Sequence, residues 1–363
     1  MDDLKRRRLA FCLDGCFGYQ NAPLFRAAPR PCVYSGVTTG PGLVRCVMKR
    51  NEIGRWISPD VILVATNFLE GQTFFLHAVY QARLNKSKLI LVHVIAPSSL
   101  RAETFEREPS LALNPAVRAA QLKLDEMVEE FQFEGVLCEP IALTGDPAKQ
   151  ISLLAKARAV DRVILAARSE SRMARMVEAS LAEEVIANVD VPVCIIGRHA
   201  VLGPAHGTPL SRVLCATKFH SGSLQTVRFA CALAKWNHAH LTLLHVLDTE
   251  GMSEQSVPLA RFAARERLCA SVPAEARQGD HPNFLIREGD PASVILSEAL
   301  SRSQDLVILG YHPIPMVPRL FTNRVIRRVI DESQCPVITI NSGPDVSAGD
   351  IHESTSSEKL LVH

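Results

Sequence analysis

Two kinds of residue in this 363-residue chain are spaced for anion chemistry. Hydroxyl, amide and ammonium side chains close two apolar runs, in Ala65-Thr66-Asn67-Phe68 and again in Ala216-Thr217-Lys218-Phe219. Arginines gather after two others: Arg168, Arg172 and Arg175 follow Val163 to Leu165, and Arg319, Arg324, Arg327 and Arg328 follow Gly310. A guanidinium can hold phosphate through paired N–H groups. Glycine lets a backbone amide approach a ligand closely, and a helix N-terminus favours negative charge. Helical spacing puts Arg324 and Arg328 on one face, with Arg327 displaced from it. Such a cluster serves either as a phosphate site or as a solvated face whose stems lie on apolar surface. The spacing alone leaves both open.

Other chemistries lack their residues. There is no G-x-x-x-x-G-K-[ST], no G-x-G-x-x-G after a strand, no G-x-S-x-G and no H-E-x-x-H. His93 and His245 end matching apolar runs, and a repeated position reads as shared architecture rather than catalysis. His238 and His240 form an H-x-H with no third ligand nearby, so no metal site is expected. Asp146 and Asp290 each precede a proline, Pro147 and Pro291, and read as helix N-caps. The ten cysteines contain no C-x-x-C, and Cys138, Cys194, Cys215 and Cys335 sit in or beside apolar runs as small hydrophobes. A reducing, cytoplasmic setting with free thiols is expected.

The elements that must position these residues occur twice. Val61-Ile-Leu-Val-Ala-Thr66 returns as Val213-Leu-Cys-Ala-Thr217, and Lys88–Val94 returns as His240–Val246, at offsets of 151 and 152. Thr144-Gly-Asp-Pro-Ala148, Asp161–Leu165 and Val191–Ile196 return as Glu288–Ala292, Asp305–Leu309 and Cys335–Ile340, all at an offset of 144. Five segments in one order make a duplicated domain. The strand runs are continuously apolar rather than alternating, which implies a sheet buried on both faces. Strands over about 61–66, 88–95, 135–142, 162–166 and 192–196 alternate with helices over about 71–85, 115–131, 147–159 and 176–188. The fold class predicted is α/β: two tandem five-stranded parallel-sheet domains, Rossmann-like. Ligands of such sheets lie at the carboxyl ends of the strands, where strand order reverses.

The flanks differ. Residues 1–57 form a basic extension holding Lys5-Arg6-Arg7-Arg8. Domain one is expected over 58–200, domain two over 208–342, and a Ser-, Asp- and Glu-rich tail over 343–363. The extension reads as a flexible tail or as sequence ahead of a start at Met48, because Asp2, Asp3 and the lack of an early apolar run argue against a targeting peptide. The chain carries 40 Lys and Arg against 38 Asp and Glu, and after residue 55 the balance is 30 against 34. A mildly acidic body argues against nucleic acid as partner. No apolar run approaches the roughly 18–20 residues of a membrane span.

The ordered set resembles the universal stress protein family. The A-T-x-F strand end, the L-x-L-x-H-V second strand, the G-D-P-A helix start, D-x-V-I-L and the closing strand all appear twice, C-P-V itself in copy two and V-P-V in copy one. The resemblance implies a five-stranded parallel sheet, pairing of the two halves as in the family's dimers, and ATP or another adenine nucleotide as ligand of some members. Homodimerisation and protein partners stay open. The pocket residues it implies are Thr66, Asn67, Val94, Ser169 and Ser180 in copy one, and Thr217, Lys218, Val246, Gly310, Asn323 and Arg324 in copy two. The family signature (Gly, two residues, Gly, nine residues, Gly-Ser) falls on Ala166, Ser169, Ala179 and Ser180, and on Gly310, Pro313, Asn323 and Arg324. The acid that usually follows the strand-one threonine is replaced by Asn67 and Lys218. Neither copy keeps the whole loop, and Pro313 removes an N–H donor. The expectation is a non-catalytic stress-response regulator with weak or no nucleotide binding, copy two being the better candidate. The alternatives are a ligand-free interaction scaffold and, more remotely, an ATP-using enzyme of the wider superfamily.

Overall fold

The computed structural model describes residues 52–70, 72–96, 115–133, 135–167, 172–201, 210–219, 223–249, 252–277, 281–312 and 324–341. Residues 1–51 of the expected extension, the expected C-terminal tail, most of the linker, Ser169, Pro313 and Asn323 lie outside them.

Copy one runs β1 (Val61–Ala65), α2 (Gln72–Asn85), β2 (Lys88–Ile95), α3 (Pro115–Phe133), β3 (Cys138–Thr144), α4 (Pro147–Ala157), β4 (Arg162–Ala167), α5 (Arg172–Asn188) and β5 (Val193–Gly197), preceded by α1 (Glu52–Ile57). Copy two runs β6 (Arg212–Ala216), α6 (Ser223–Asn237), β7 (His240–Leu247), α7 (Val257–Ser271), β8 (Asn283–Glu288), α8 (Pro291–Ser301), β9 (Leu306–Tyr311), α9 (Arg324–Glu332) and β10 (Val337–Asn341). Two elements depart from the sequence reading. The third strand starts three residues late, because Gly135 takes φ +75° and its strand pairs with β2 from Cys138 onward. The helix expected from 176 already begins at Arg172.

Within each copy the strands are parallel, and the whole forms one ten-stranded sheet in the order β3-β2-β1-β4-β5-β10-β9-β6-β7-β8. The join is antiparallel, with Val337 opposite Ile195, Ile338 opposite Cys194 and Thr339 opposite Val193. Cys194 and Ile338 are counterparts at the 144-residue offset, so the pseudo-twofold axis passes between them. Each apolar fifth strand thus covers the other, removing two edges that would otherwise invite aggregation.

Two cores flank the sheet, and both run through both halves. One face packs Trp56, Phe74, Leu124, Phe229 and Leu268 against alternate strand residues such as Ile62 and Val64. The other packs Ile151, Val185, Ile186, Ile295, Val329 and Ile330 against Leu63, Leu165 and Val337. Asp146 and Asp290 cap α4 and α8 as the sequence predicts, accepting from Lys149 N at 2.8 Å and Ser293 N at 2.9 Å. Helix α1, at the end of the expected extension, packs on copy two: Trp56 is buried and meets Phe229 edge-on at 6.2 Å. The buried Arg162 guanidinium donates to the Trp56 carbonyl and, at 2.7 Å, to Gln81 Oε1, tying α1 to β4 and α2.

Candidate functional site

Strand order reverses between β1 and β4 in copy one and between β6 and β9 in copy two, so the strand tips there form the candidate sites. In copy one the segment after β1 closes on itself. Glu70 Oε2 accepts the Thr66 hydroxyl at 2.6 Å and Oε1 accepts the Asn67 amide at 2.8 Å. The Thr66 oxygen in turn accepts from Phe68 N at 2.9 Å, and Asn67 Oδ1 accepts from Leu69 N at 2.8 Å. Phe68 sits at φ +66° to make this turn. Thr66 Oγ1, Asn67 N and Asn67 Oδ1 are thus engaged within the loop, with a carboxylate at the centre. An anion meets repulsion there.

Copy two has no such acid: Ser221 stands at the position of Glu70. Thr217 Oγ1 donates to the Lys218 carbonyl at 2.9 Å, and the Ser223 hydroxyl donates to the same carbonyl. Lys218 is exposed. Gly310, at the tip of β9, faces the first turns of α6. A Cβ there would stand 2.9 Å from Thr226 Oγ1 and 3.6 Å from His312 Nε2. Thr226 is fully buried and its hydroxyl has no hydrogen-bond partner among the described residues. Such a group costs free energy unless something satisfies it. Arg324, the first residue of α9, is exposed. Its neighbours are committed elsewhere: Arg327 holds Glu183 through 3.0 and 2.7 Å bonds, and Arg328 reaches Asp290 at 2.8 Å and Glu332 at 3.0 Å. Arg327 and Arg328 are therefore structural, and Arg168 and Arg319 lie outside the described residues. Of Arg324, Arg327 and Arg328, Arg324 alone makes no ion pair among the described residues.

The structure thus brings Gly310 against Thr226, with Thr217 following the end of the neighbouring β6; Lys218 and Arg324 are exposed, the latter at the start of α9. Val94 and Val246 lie half-buried near the ends of β2 and β7. Ser180 lies within α5, its hydroxyl directed to Glu184 Oε1 at 3.5 Å, a bond along its own helix.

Sequence reasoning missed Glu70, Thr226 and a repeated stack behind each loop. In copy one the Phe68 ring lies on His93 at 4.3 Å, with Lys123 Nζ 4.4 Å from the Phe68 centroid. In copy two Phe219 lies on His245 at 4.0 Å, with the Arg267 guanidinium 4.4 Å from the Phe219 centroid. Lys123 and Arg267 are 144 residues apart, a signal the repeat contained. Both imidazoles bond the strand-one threonine carbonyl through Nδ1, at 2.7 Å from Thr66 O and 2.9 Å from Thr217 O. Since a carbonyl only accepts, Nδ1 carries the proton. Burial, with Arg267 and Lys218 nearby, lowers the His245 pKa, so that ring is neutral at physiological pH. These histidines hold the loops in place.

Burial makes three strand-associated thiols poor nucleophiles, pushing Cys138 up to about 12 and Cys194 and Cys335 up to about 11. Among the described residues no cluster of His, Cys, Asp and Glu could hold a metal ion, and no helix is long and apolar enough to cross a membrane.

The fold defines a tandem α/β protein of two five-stranded parallel sheets joined edge to edge. The sequence profile of the universal stress protein family matches residues 59–197 and again 209–341, and the chain belongs to that family. A universal stress protein from Archaeoglobus fulgidus DSM 4304 is similar over 79% of this chain and 97% of its own, with a TM-score of 0.59 and 18% identity. A protein of unknown function from Pseudomonas aeruginosa PAO1 covers 79% of this chain and 94% of its own, at a TM-score of 0.51 and 16% identity. These likenesses show the fold. Among curated proteins, none matches the sequence.

Proposed function

We propose that this universal stress protein is a non-catalytic, nucleotide-responsive regulator whose ligand site is reduced to copy two. The observation that carries the reading is the asymmetry of the two strand ends. Glu70 fills the copy-one loop with a carboxylate, whereas copy two keeps Gly310 against the unpartnered Thr226 hydroxyl. An adenine nucleotide fits that residue set. Thr217 would meet ribose or phosphate oxygens, Lys218 and Arg324 would hold phosphate charge, and Gly310, whose Cβ position is already met by the buried Thr226 hydroxyl, would keep the strand end clear of a side chain. On this reading the bound nucleotide acts as a signal and not as a substrate. The reading is of a cytoplasmic protein.

A thermal-shift panel of ATP, ADP, AMP and cyclic nucleotides, with and without Mg²⁺, tests it. Stabilisation by at least one adenine nucleotide is expected, and it should vanish in Gly310→Ala. An interaction role has separate support in Leu259 and Phe262, exposed three residues apart on α7. A panel without any shift would favour that second reading.

A further inference from the structure

Glu183 and Arg327 are counterparts, 144 residues apart, and they bind each other across the pseudo-twofold axis. In a symmetric pair, a residue on the axis meets its own copy. A pair of two copy-one domains would therefore set Glu183 against Glu183, and a pair of two copy-two domains would set Arg327 against Arg327. Glu183 has only 6% of its side chain exposed, so an unpaired charge there would be poorly solvated.

Two further positions discriminate in the same way. A Cβ on Gly197 would lie 2.5 Å from the Ile330 carbonyl, a backbone atom that cannot swing away. Its counterpart is Asn341, whose Nδ2 instead donates to Ala187 O at 3.4 Å and Val189 O at 3.3 Å, at the end of α5. In a pair of copy-two domains Asn341 would stand where only glycine fits. In a pair of copy-one domains glycine would leave those two carbonyls without that donor. Arg198 meets Asp331 at 3.6 Å, and their counterparts are Ser342 and Ala187, so this ion pair too exists only between unlike halves.

We infer that the β5–α5 face of copy one accepts a copy-two face and refuses its own kind. The duplicated halves have diverged from a self-complementary surface into a matched pair. The partner this face fits is the other half of the chain, or that half from a second copy by exchange. Family-style homodimerisation of like domains is closed to it.

Two measurements on the full chain test the inference. The first introduces a protease site between residues 202 and 209, cleaves the folded protein, exchanges the halves in urea, refolds them and weighs the pairs by native mass spectrometry. Unlike pairs should exceed like pairs by about tenfold or more, from roughly the 1.4 kcal/mol per decade that any one of these contacts can supply. Like pairs near the statistical proportion would overturn the inference. The second needs no refolding of halves: in the uncut chain, Glu183→Arg and Arg327→Glu should each lower the melting temperature by about 5 °C, and the double reversal should restore most of it. Additive losses in the double variant would overturn the role of the charges.

Discussion

The Glu70 carboxylate takes the Thr66 hydroxyl at 2.6 Å, and this bond separates the two halves of a duplicated protein more sharply than any signature residue. Removing it in Glu70→Ala leaves the Thr66 hydroxyl and Asn67 amide to find other partners. A loss of about 1–2 kcal/mol in urea unfolding is expected, with nucleotide response unchanged because the proposed site lies in the other copy. A variant as stable as the parent would show that the loop does not depend on Glu70.

Thr226→Val isolates an effect on stability. The valine keeps the shape and deletes a buried hydroxyl that has no partner. Replacing such a group by an apolar isostere is neutral or stabilising by about 1 kcal/mol. The melting temperature should hold or rise, and the shift given by nucleotide should stay unchanged because the hydroxyl is fully buried. A variant that melts lower would mean that the hydroxyl serves packing.

Much of this architecture was legible beforehand. The repeats fixed the sheet, the caps at Asp146 and Asp290, and the fifth strands as partner edges, because apolar runs and N-cap chemistry act locally. What escaped was decided by three-dimensional neighbours. Glu70 stands three residues past the position where the family places its acid, and only the left-handed turn at Phe68 brings its carboxylate back. Thr226 looks like an ordinary helix residue until β9 brings Gly310 against it. The arginines after β9 suggested anion binding, yet Arg327 and Arg328 are spent on Glu183, Asp290 and Glu332, contacts no helical period reveals.

Stability should fall on acidification because of His77. Burial, reinforced by Arg162, lowers its pKa to about 4, and Gln81 Nε2 lies 2.6 Å from its Nε2. The unfolded chain binds this proton below about pH 6.5, whereas the folded chain resists until about pH 4, so the stabilisation is full above 6.5 and is lost as pH falls through that window. The full difference is at most about 3 kcal/mol. In His77→Gln the slope of unfolding free energy between pH 6.5 and 4 should flatten. An unchanged slope would assign the acid sensitivity to other groups.

Trp56→Ala tests whether α1 belongs to the folded body. Trp56 is buried against Phe229 of the second half, and its carbonyl receives the Arg162 guanidinium. A loss of about 3–5 kcal/mol is expected from the vacated volume, read as a lower urea midpoint for the whole chain in a single transition. A change below about 1 kcal/mol would place the helix outside the cooperative unit.

One weak adenine-nucleotide site per chain, in copy two, should appear in calorimetry with ATP and Mg²⁺. The expected result is a single site with a dissociation constant of about 10–100 μM, corresponding to roughly 5.5–7 kcal/mol. It should be weakened in Arg324→Ala, abolished in Gly310→Ala and unchanged in Glu70→Ala. Two sites per chain, or binding tighter than about 1 μM that survives Arg324→Ala, would contradict it.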